Sequence, residues 1–308
     1  MITRFGKRFL TNYLAGNADF SKKELAFGIG NTAVNAKGND TRLNFEFYRV
    51  PVTLGSIDIT QTGVDGDGDP EFSYTAIYQG TIPQDVAGVI SEAALYPGSR
   101  SSKNNYDSKF ITTFENNLLW TDSIGGSPGI RVNSASPAFT AKIGENMIYV
   151  QSPTSTAKEY KLSLPSLDLS GYSVNDSLAI AYKKEDDNVA KIRVKFYSSA
   201  TQYCYADFTP PSMSTTPDKI QSINLSSLFS NISATPPDFT NIISLGIEVT
   251  ANSGGTTKVY FDGLRINDED TFDPIYGMIS RSVLTGGDII YKTSGRQVDI
   301  EYKLQLGF

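Results

Sequence analysis

From Leu25 onward the chain is written almost entirely in short apolar runs with a period of two, cut at close intervals by Gly, Asn, Asp and Pro. In Lys191–Tyr197, Ile192, Val194 and Phe196 alternate with polar neighbours, and in Asn44–Val50 Phe45 and Phe47 alternate with Asn44, Glu46 and Tyr48. Successive side chains of a strand point to opposite faces, so this pattern builds half-buried strands and lacks the 3.6-residue repeat of a helix. The fold class that follows is mainly β.

One segment departs from the pattern. In Met1–Gly16, Phe5, Phe9 and Tyr13 recur every fourth residue beside Leu10 and Leu14, while Arg4, Lys7 and Arg8 fall largely on another face. That spacing predicts a short amphipathic helix ended by Gly16. Its apolar stripe either packs on its own domain or docks on a neighbouring subunit, with Phe5, Phe9 and Tyr13 as anchors. No apolar run is long enough for a membrane-spanning helix, and the N-terminal segment lacks the continuous apolar stretch of a secretory signal.

The polar stretch Gly98–Ser108 is the clearest boundary. Beyond it, about eight short strands up to Asp270 suit a jelly-roll β-sandwich, with hairpins expected at Lys191–Tyr197/Gln202–Phe208 and at Leu245–Val249/Lys258–Ile266. Two further strands, in IYGMISRSVL and VDIEYKLQLGF, share the chemistry of the first segment. The expected organisation is therefore a split β-sandwich domain of residues 1–108 and 272–308 with a short N-terminal helix. A jelly roll of residues 109–271 is inserted into it.

Composition removes most chemistry. The 308 residues include no His and a single Cys, Cys204. Histidine-based acid–base catalysis, Ser-His-Asp and Cys-His nucleophiles, and nearly all zinc enzyme sites are excluded, as is an intrachain disulfide framework. Lys and Arg number 27 against 33 Asp and Glu, a net charge of −6, with no basic stripe for nucleic acid. No phosphate loop, dinucleotide fingerprint or nucleophile elbow occurs, and no spacing selects a carboxylate pair for glycoside hydrolysis. Asp65–Glu71 opens like a calcium loop, but Pro70 stands where Gly is needed and Ala76 where a bidentate Glu is needed, so it reads as a hairpin loop. The Asn-x-Ser/Thr matches at Asn39, Asn224 and Asn231 read as chance.

Two constellations remain. Tyr203 and Tyr205 share one face of a strand, opposite Cys204 and Ala206. They either pack cross-strand or offer ring faces to pyranose C–H groups, with Trp120 as a third contact or a core residue beside Leu118 and Leu119. Asp262, before Gly263, either accepts backbone hydrogen bonds or joins Glu115 to hold a structural Ca2+.

The terminal segments are similar to known proteins. ITRFGKRFLTNYLAG, LAFGIGNTAV, LNFEFYRVPVTLGSI, GTIPQDVAGVISEAALYPGS, ISRSVL and VDIEYKLQLGF resemble virion structural proteins of contractile-tailed phages infecting cyanobacteria. More broadly they resemble the attachment domain of tail-collar and tail-fibre proteins. Glu46 and Arg49 match one motif of that domain, and Ile90, Glu92, Leu95 and Tyr96 another. The middle segment resembles carbohydrate-binding-module or galactose-binding jelly rolls through Thr113–Glu115 and Val259–Ile266. The resemblance implies a non-enzymatic virion protein on the tail, baseplate or neck, made in the host cytoplasm. Its implied partners are other virion proteins, copies of itself in a trimer, and host-surface glycan, but not nucleic acid or membrane. Arg49 joins the docking residues on this reading. Capsid decoration, a dedicated host-glycan adhesin and an envelope glycosidase are the alternatives.

Overall fold

The structure is a computed structural model that describes residues 1–30, 32–34, 38, 40, 42–98, 109–132, 141–212, 218–267 and 277–306. The stretch after Gly98, residues 270–274 and position 39 lie outside them. The chain forms two compact units, Met1–Ser102 with Thr271–Phe308, and Lys103–Asp270. It is mainly β.

Along the chain come α1 (Arg4–Leu14), β1 (Lys23–Gly28), β2 (Glu46–Val64), β3 (Pro70–Ile82), β4 (Gly88–Ile90) and β5 (Glu92–Tyr96). The second unit holds β6 (Lys109–Thr112), β7 (Trp120–Thr121), β8 (Gly129–Val132), β9 (Asn146–Ser152), β10 (Ala157–Leu167) and β11 (Ser177–Lys184). It continues with β12 (Val189–Tyr197), β13 (Tyr203–Phe208), β14 (Asp218–Asn224), α2 (Leu225–Ser230), β15 (Ile242–Ala251) and β16 (Thr257–Asn267). β17 (Ser280–Val283), β18 (Ile290–Lys292) and β19 (Val298–Leu306) close the first unit.

In that first unit, β17-β5-β1-β2-β3-β19 form one antiparallel sheet, and β18 pairs with β4. Thr3 caps α1, its Oγ1 accepting from the Gly6 N–H at 2.9 Å, and its own N–H donates to the Ile279 carbonyl at 2.9 Å. Gly6 is required there: a Cβ would stand 2.1 Å from the Ile279 oxygen. The helix turns its apolar stripe inward. Phe9 is 4% exposed and meets Phe20 edge-on at 5.3 Å, while Phe5 stacks on Phe9 and packs against the same core. Burying a ring of this size contributes about 2–3 kcal/mol. Phe9 is therefore a core residue of its own unit, which removes it as a docking anchor; Phe5 is half-buried against the same core, and Tyr13 is 47% exposed.

Arg49 is likewise committed within its sheet. Its guanidinium donates to Glu46 at 2.6 and 3.0 Å and to Glu24 at 3.3 Å, and lies 4.0 Å over the Tyr96 ring. It ties β1, β2 and β5 together. A second ion pair is fully buried. Arg281 on β17 donates to Glu92 on β5 at 2.7 and 3.2 Å, and Glu92 also accepts the Phe45 N–H at 3.1 Å. It joins strands separated by the whole inserted unit.

β2 serves two partners in turn. Glu46–Val52 pair with β1, and from Thr53 to Val64 the strand pairs with β3, so Pro51 sits just before the handover. The β2–β3 ribbon turns at Asp65, whose Oδ1 accepts from the N–H groups of Asp67 and Asp69 at 2.9 Å. That is a hairpin loop, as the failed calcium pattern indicates.

The second unit is a sandwich of two sheets, β13-β12-β15-β10-β7 facing β14-β11-β16-β9-β8, with β6 added to β16. Between them lies one apolar core that includes Trp120, Ile180, Val194, Phe196, Phe208, Ile247 and Phe261. β12 and β13 form the expected hairpin, Ile192 opposite Phe208. β15 and β16 do not. β15 is flanked by β10 and β12 and β16 by β11, β9 and β6, so both are interior strands of opposite sheets and the chain crosses the core between them. The alternating run Phe110–Trp120 is divided between β6 and β7, because Phe114 adopts φ 57° and turns the backbone. The stretch after β14 is the helix α2, where strand alternation had been expected.

Candidate functional site

The outward face of the five-stranded sheet carries a connected cluster of charged and aromatic side chains. Register places Tyr205, Lys195, Gly246 and Lys161 in one row across β13, β12, β15 and β10. Tyr203, Tyr197 and Ser244 form the row to one side, and Asp207, Arg193, Glu248 and Glu159 the row to the other. The alternate residues of these strands fill the core, which fixes this set outward.

Charge is satisfied within the cluster. Arg193 grips Asp207 in a forked pair at 2.6 and 2.8 Å and lies 3.9 Å over the Tyr205 ring. Lys195 donates to Glu248 at 2.7 Å and to Glu159 at 3.3 Å, and the Tyr197 hydroxyl donates to Glu159 at 2.6 Å. Burial alone would lower the Lys195 ammonium, but its bonds to the two glutamates outweigh that and raise it. Burial, aided by Glu159, holds the Tyr197 phenol far above its usual range. Gly246 makes this closure feasible: a Cβ there would stand 2.4 Å from Glu159 Oε1 and 2.9 Å from the Tyr197 ring.

Tyr203 and Tyr205 are half-buried neighbours, ring centroids 6.3 Å apart, and Tyr203 lies 5.1 Å from Tyr197. Such an arrangement offers aromatic surface for pyranose C–H faces, bordered by guanidinium, ammonium and carboxylate groups for hydroxyls. Glu159 and Glu248 share one lysine. Trp120 takes no part. It is 1% exposed and stacked 5.2 Å from Phe114, so no ring face is open to a ligand; this corrects its candidacy as a glycan contact. Tyr172 and Tyr182 are core residues too. The residues missed in the sequence, Glu159, Arg193, Lys195, Asp207, Gly246 and Glu248, carry the right strand parity, but only strand order brings them together.

The acidic pair lies elsewhere in the sandwich. Asp262 on β16 accepts the backbone N–H of Lys142 at 2.7 Å and of Ile143 at 3.3 Å. Glu115 Oε2 accepts those of Glu145 and Asn146, each at 3.1 Å, while Glu115 Oε1 is buried with no hydrogen-bond partner. Burial pushes the Asp262 carboxyl up to about 8, the nearby Glu115 charge adding to the effect, and burial raises Glu115 as well. A buried, orphaned oxygen beside a second carboxylate suits either a proton or a hard cation. Glu115 and Asp262 are the residues that would hold Ca2+, which would neutralise both charges. Among the described residues no third Asp, Glu, His or Cys joins them, so the remaining ligands would be carbonyl oxygens and water. Cys204 is buried and its thiol is lifted by that burial to about 12, which makes it inert.

No protein-family model matches the sequence, and no curated protein matches it. Among solved structures, a family 11 carbohydrate-binding module from Clostridium thermocellum, in complex with a β-1,3-1,4-mixed-linked tetrasaccharide, is similar at 18% identity and a TM-score of 0.37. The match covers 53% of this chain and 97% of that one. A family 30 module of a cellulosomal cellulase from the same organism gives 14% identity, a TM-score of 0.37 and coverages of 53% and 98%. The glycoside hydrolase domain of Endo-D from Streptococcus pneumoniae gives 14% identity, a TM-score of 0.31 and coverages of 53% and 28%.

Proposed function

We propose that the chain is a non-catalytic attachment protein whose sandwich binds glycan on the outward face of its five-stranded sheet. The observation that carries this reading is the Tyr203–Tyr205 pair, set among the Arg193–Asp207 and Lys195–Glu159–Glu248 groups. The aromatic faces supply apolar contact and the bordering charges supply directional hydrogen bonds, the combination a sugar ring requires. Titration against a panel of soluble polysaccharides tests it. Tyr205→Ala is expected to weaken binding roughly tenfold, the loss of about 1.4 kcal/mol of aromatic contact. Failure of the wild-type chain to bind any member of a broad glycan panel would remove the proposal.

On the resemblance of the terminal segments, the first unit seats the protein on a phage tail, baseplate or neck and the sandwich is the displayed part. Localisation in purified particles, by cryo-electron microscopy and mass spectrometry of the particle proteins, tests this. Absence of the chain from the particle would overturn it.

A further inference from the structure

The terminal sheet closes one of its edges and leaves the other open. At β17 the chain's own start covers the ladder. The Met1 ammonium donates to the Arg281 carbonyl at 2.8 Å, the Arg281 N–H returns a bond to the Met1 carbonyl at 3.0 Å, and Ile2 bridges Ser280. At the opposite edge lies β19, whose one ladder partner among the described residues is β3. β19 pairs with β3 along all 9 of its residues without a register shift, and it holds neither Pro nor Gly. About half of its backbone N–H and C=O groups therefore stand along a regular, unpaired edge, the kind that domains ordinarily shorten, bulge or cover.

The side chains of β19 indicate what fits there. Ile300, Tyr302 and Leu304 face the core, while Asp299, Glu301, Lys303 and Gln305 face outward and are exposed. Three of the outward side chains are tied to β3: Asp299 accepts from Thr81 at 2.8 Å, Glu301 accepts from Gln79 at 2.9 Å, and Gln305 donates to Ser73 at 2.9 Å. The Lys303 ammonium has no hydrogen bond or ion pair among the described residues. A second β19 running antiparallel supplies the missing carboxylate. With Tyr302 set opposite Tyr302 of the other copy, Glu301 of each chain stands directly across from Lys303 of the other, and Ile300 stands across from Leu304, so core face continues core face. The adjacent registers that also keep the core faces together do not match. Centring on Glu301 sets carboxylate against carboxylate, and centring on Lys303 sets ammonium against ammonium.

We infer that two copies of the chain pair through β19, antiparallel about a two-fold axis at Tyr302, with Glu301 of each on Lys303 of the other. The same surface serves both copies, so the contact closes as a dimer and does not extend into a filament. The inference rests neither on glycan binding nor on the seating of the terminal unit on a particle.

The test is sedimentation velocity of the full chain over a series of concentrations at about 0.15 M salt, where exposed charges are screened but not abolished. The wild type is expected to show a monomer–dimer equilibrium. Lys303→Glu turns both opposite-charge pairs into like-charge pairs and should weaken dimerisation roughly tenfold, and Glu301→Lys should do the same with the opposite sign. Mixing these two variants sets two acids of one chain across from two lysines of the other and should give a heterodimer as tight as the wild-type dimer. Glu301→Lys/Lys303→Glu in one chain only exchanges the two positions and should also dimerise like wild type; because it carries both changes, its recovery excludes misfolding as the cause of the single-variant losses. A wild type that is monomeric at every concentration, a species other than a dimer, single reversals without effect, or no recovery in the mixture and the exchanged chain would each overturn the inference. Carbodiimide coupling of the wild type, mapped by mass spectrometry on mixed isotope-labelled and unlabelled chains, should join Glu301 of one chain to Lys303 of the other. Cross-links confined within single chains would refute it.

Discussion

Replacing Arg281 by Met strands a carboxylate in the interior. Glu92 is fully buried and its charge is met by two bonds from Arg281, the shorter 2.7 Å, with the backbone N–H groups of Phe45, at 3.1 Å, and Asn44 left once the guanidinium is gone. Breaking one side of a buried pair leaves an uncompensated charge and costs about 3–5 kcal/mol. For a unit of this size each kcal/mol lowers the melting temperature by about 3–5 °C, so the transition of the terminal unit should fall by on the order of 10–20 °C. Differential scanning calorimetry of the full chain reads this directly, with the sandwich's transition expected to stay in place. The second substitution fixes the cause. Adding Glu92→Gln removes the stranded charge while its amide oxygen still accepts from Phe45, so Arg281→Met/Glu92→Gln should melt higher than Arg281→Met alone. A loss below about 1 kcal/mol for Arg281→Met, or a lower melting temperature for the double variant, would refute the reasoning.

Other perturbations follow from the same geometry. Trp120→Ala should cost the sandwich about 3–5 kcal/mol by chemical denaturation, a core-cavity effect; a change of less than 1 kcal/mol would return Trp120 to the surface. Gly6→Ala drives a methyl into the Ile279 carbonyl and should destabilise the terminal unit by about 1–3 kcal/mol, detached from any gain in helix propensity, as urea unfolding would show. Because the folded Asp262 carboxyl titrates near 8 and the unfolded one near its ordinary 3.8, the folded state holds the extra proton between them. Sandwich stability is thus full below the ordinary value and falls as pH rises towards 8, by at most about 1.4 kcal/mol per unit, a slope that Asp262→Asn should flatten. Added Ca2+ at pH 8 should recover that loss in the wild type and not in Glu115→Gln; an unchanged melting temperature would show that a proton alone neutralises the pair.

The mainly β class was legible because strand parity is a local property. Ile192, Val194 and Phe196 announce the inner face of β12 in the sequence itself, and Tyr203 and Tyr205 announce the outer face of β13. What parity leaves open is which strands become neighbours. The β15–β16 segment reads as a hairpin, since two alternating runs flank Asn252–Gly255, yet both strands have two other partners and the chain crosses between sheets. The same limit hid the polar outward face of that sheet: Glu159 and Lys195 are 36 residues apart and meet only through β15. For α1 the periodicity gave the helix and its stripe but not the side on which the stripe's partner stands, and Phe9 found it within its own unit. Phe114 escaped altogether, because a positive φ in a bulky residue leaves no trace in composition.

The first and last strands of the sandwich are ladder neighbours, with Lys109 opposite Ile266. A segment of more than half the chain therefore begins and ends within one inter-strand spacing, about 5 Å, whatever the length of the guest. That is the geometry of a cassette. Recombination can exchange such a guest for any module whose ends emerge equally close, without a new fold for the host.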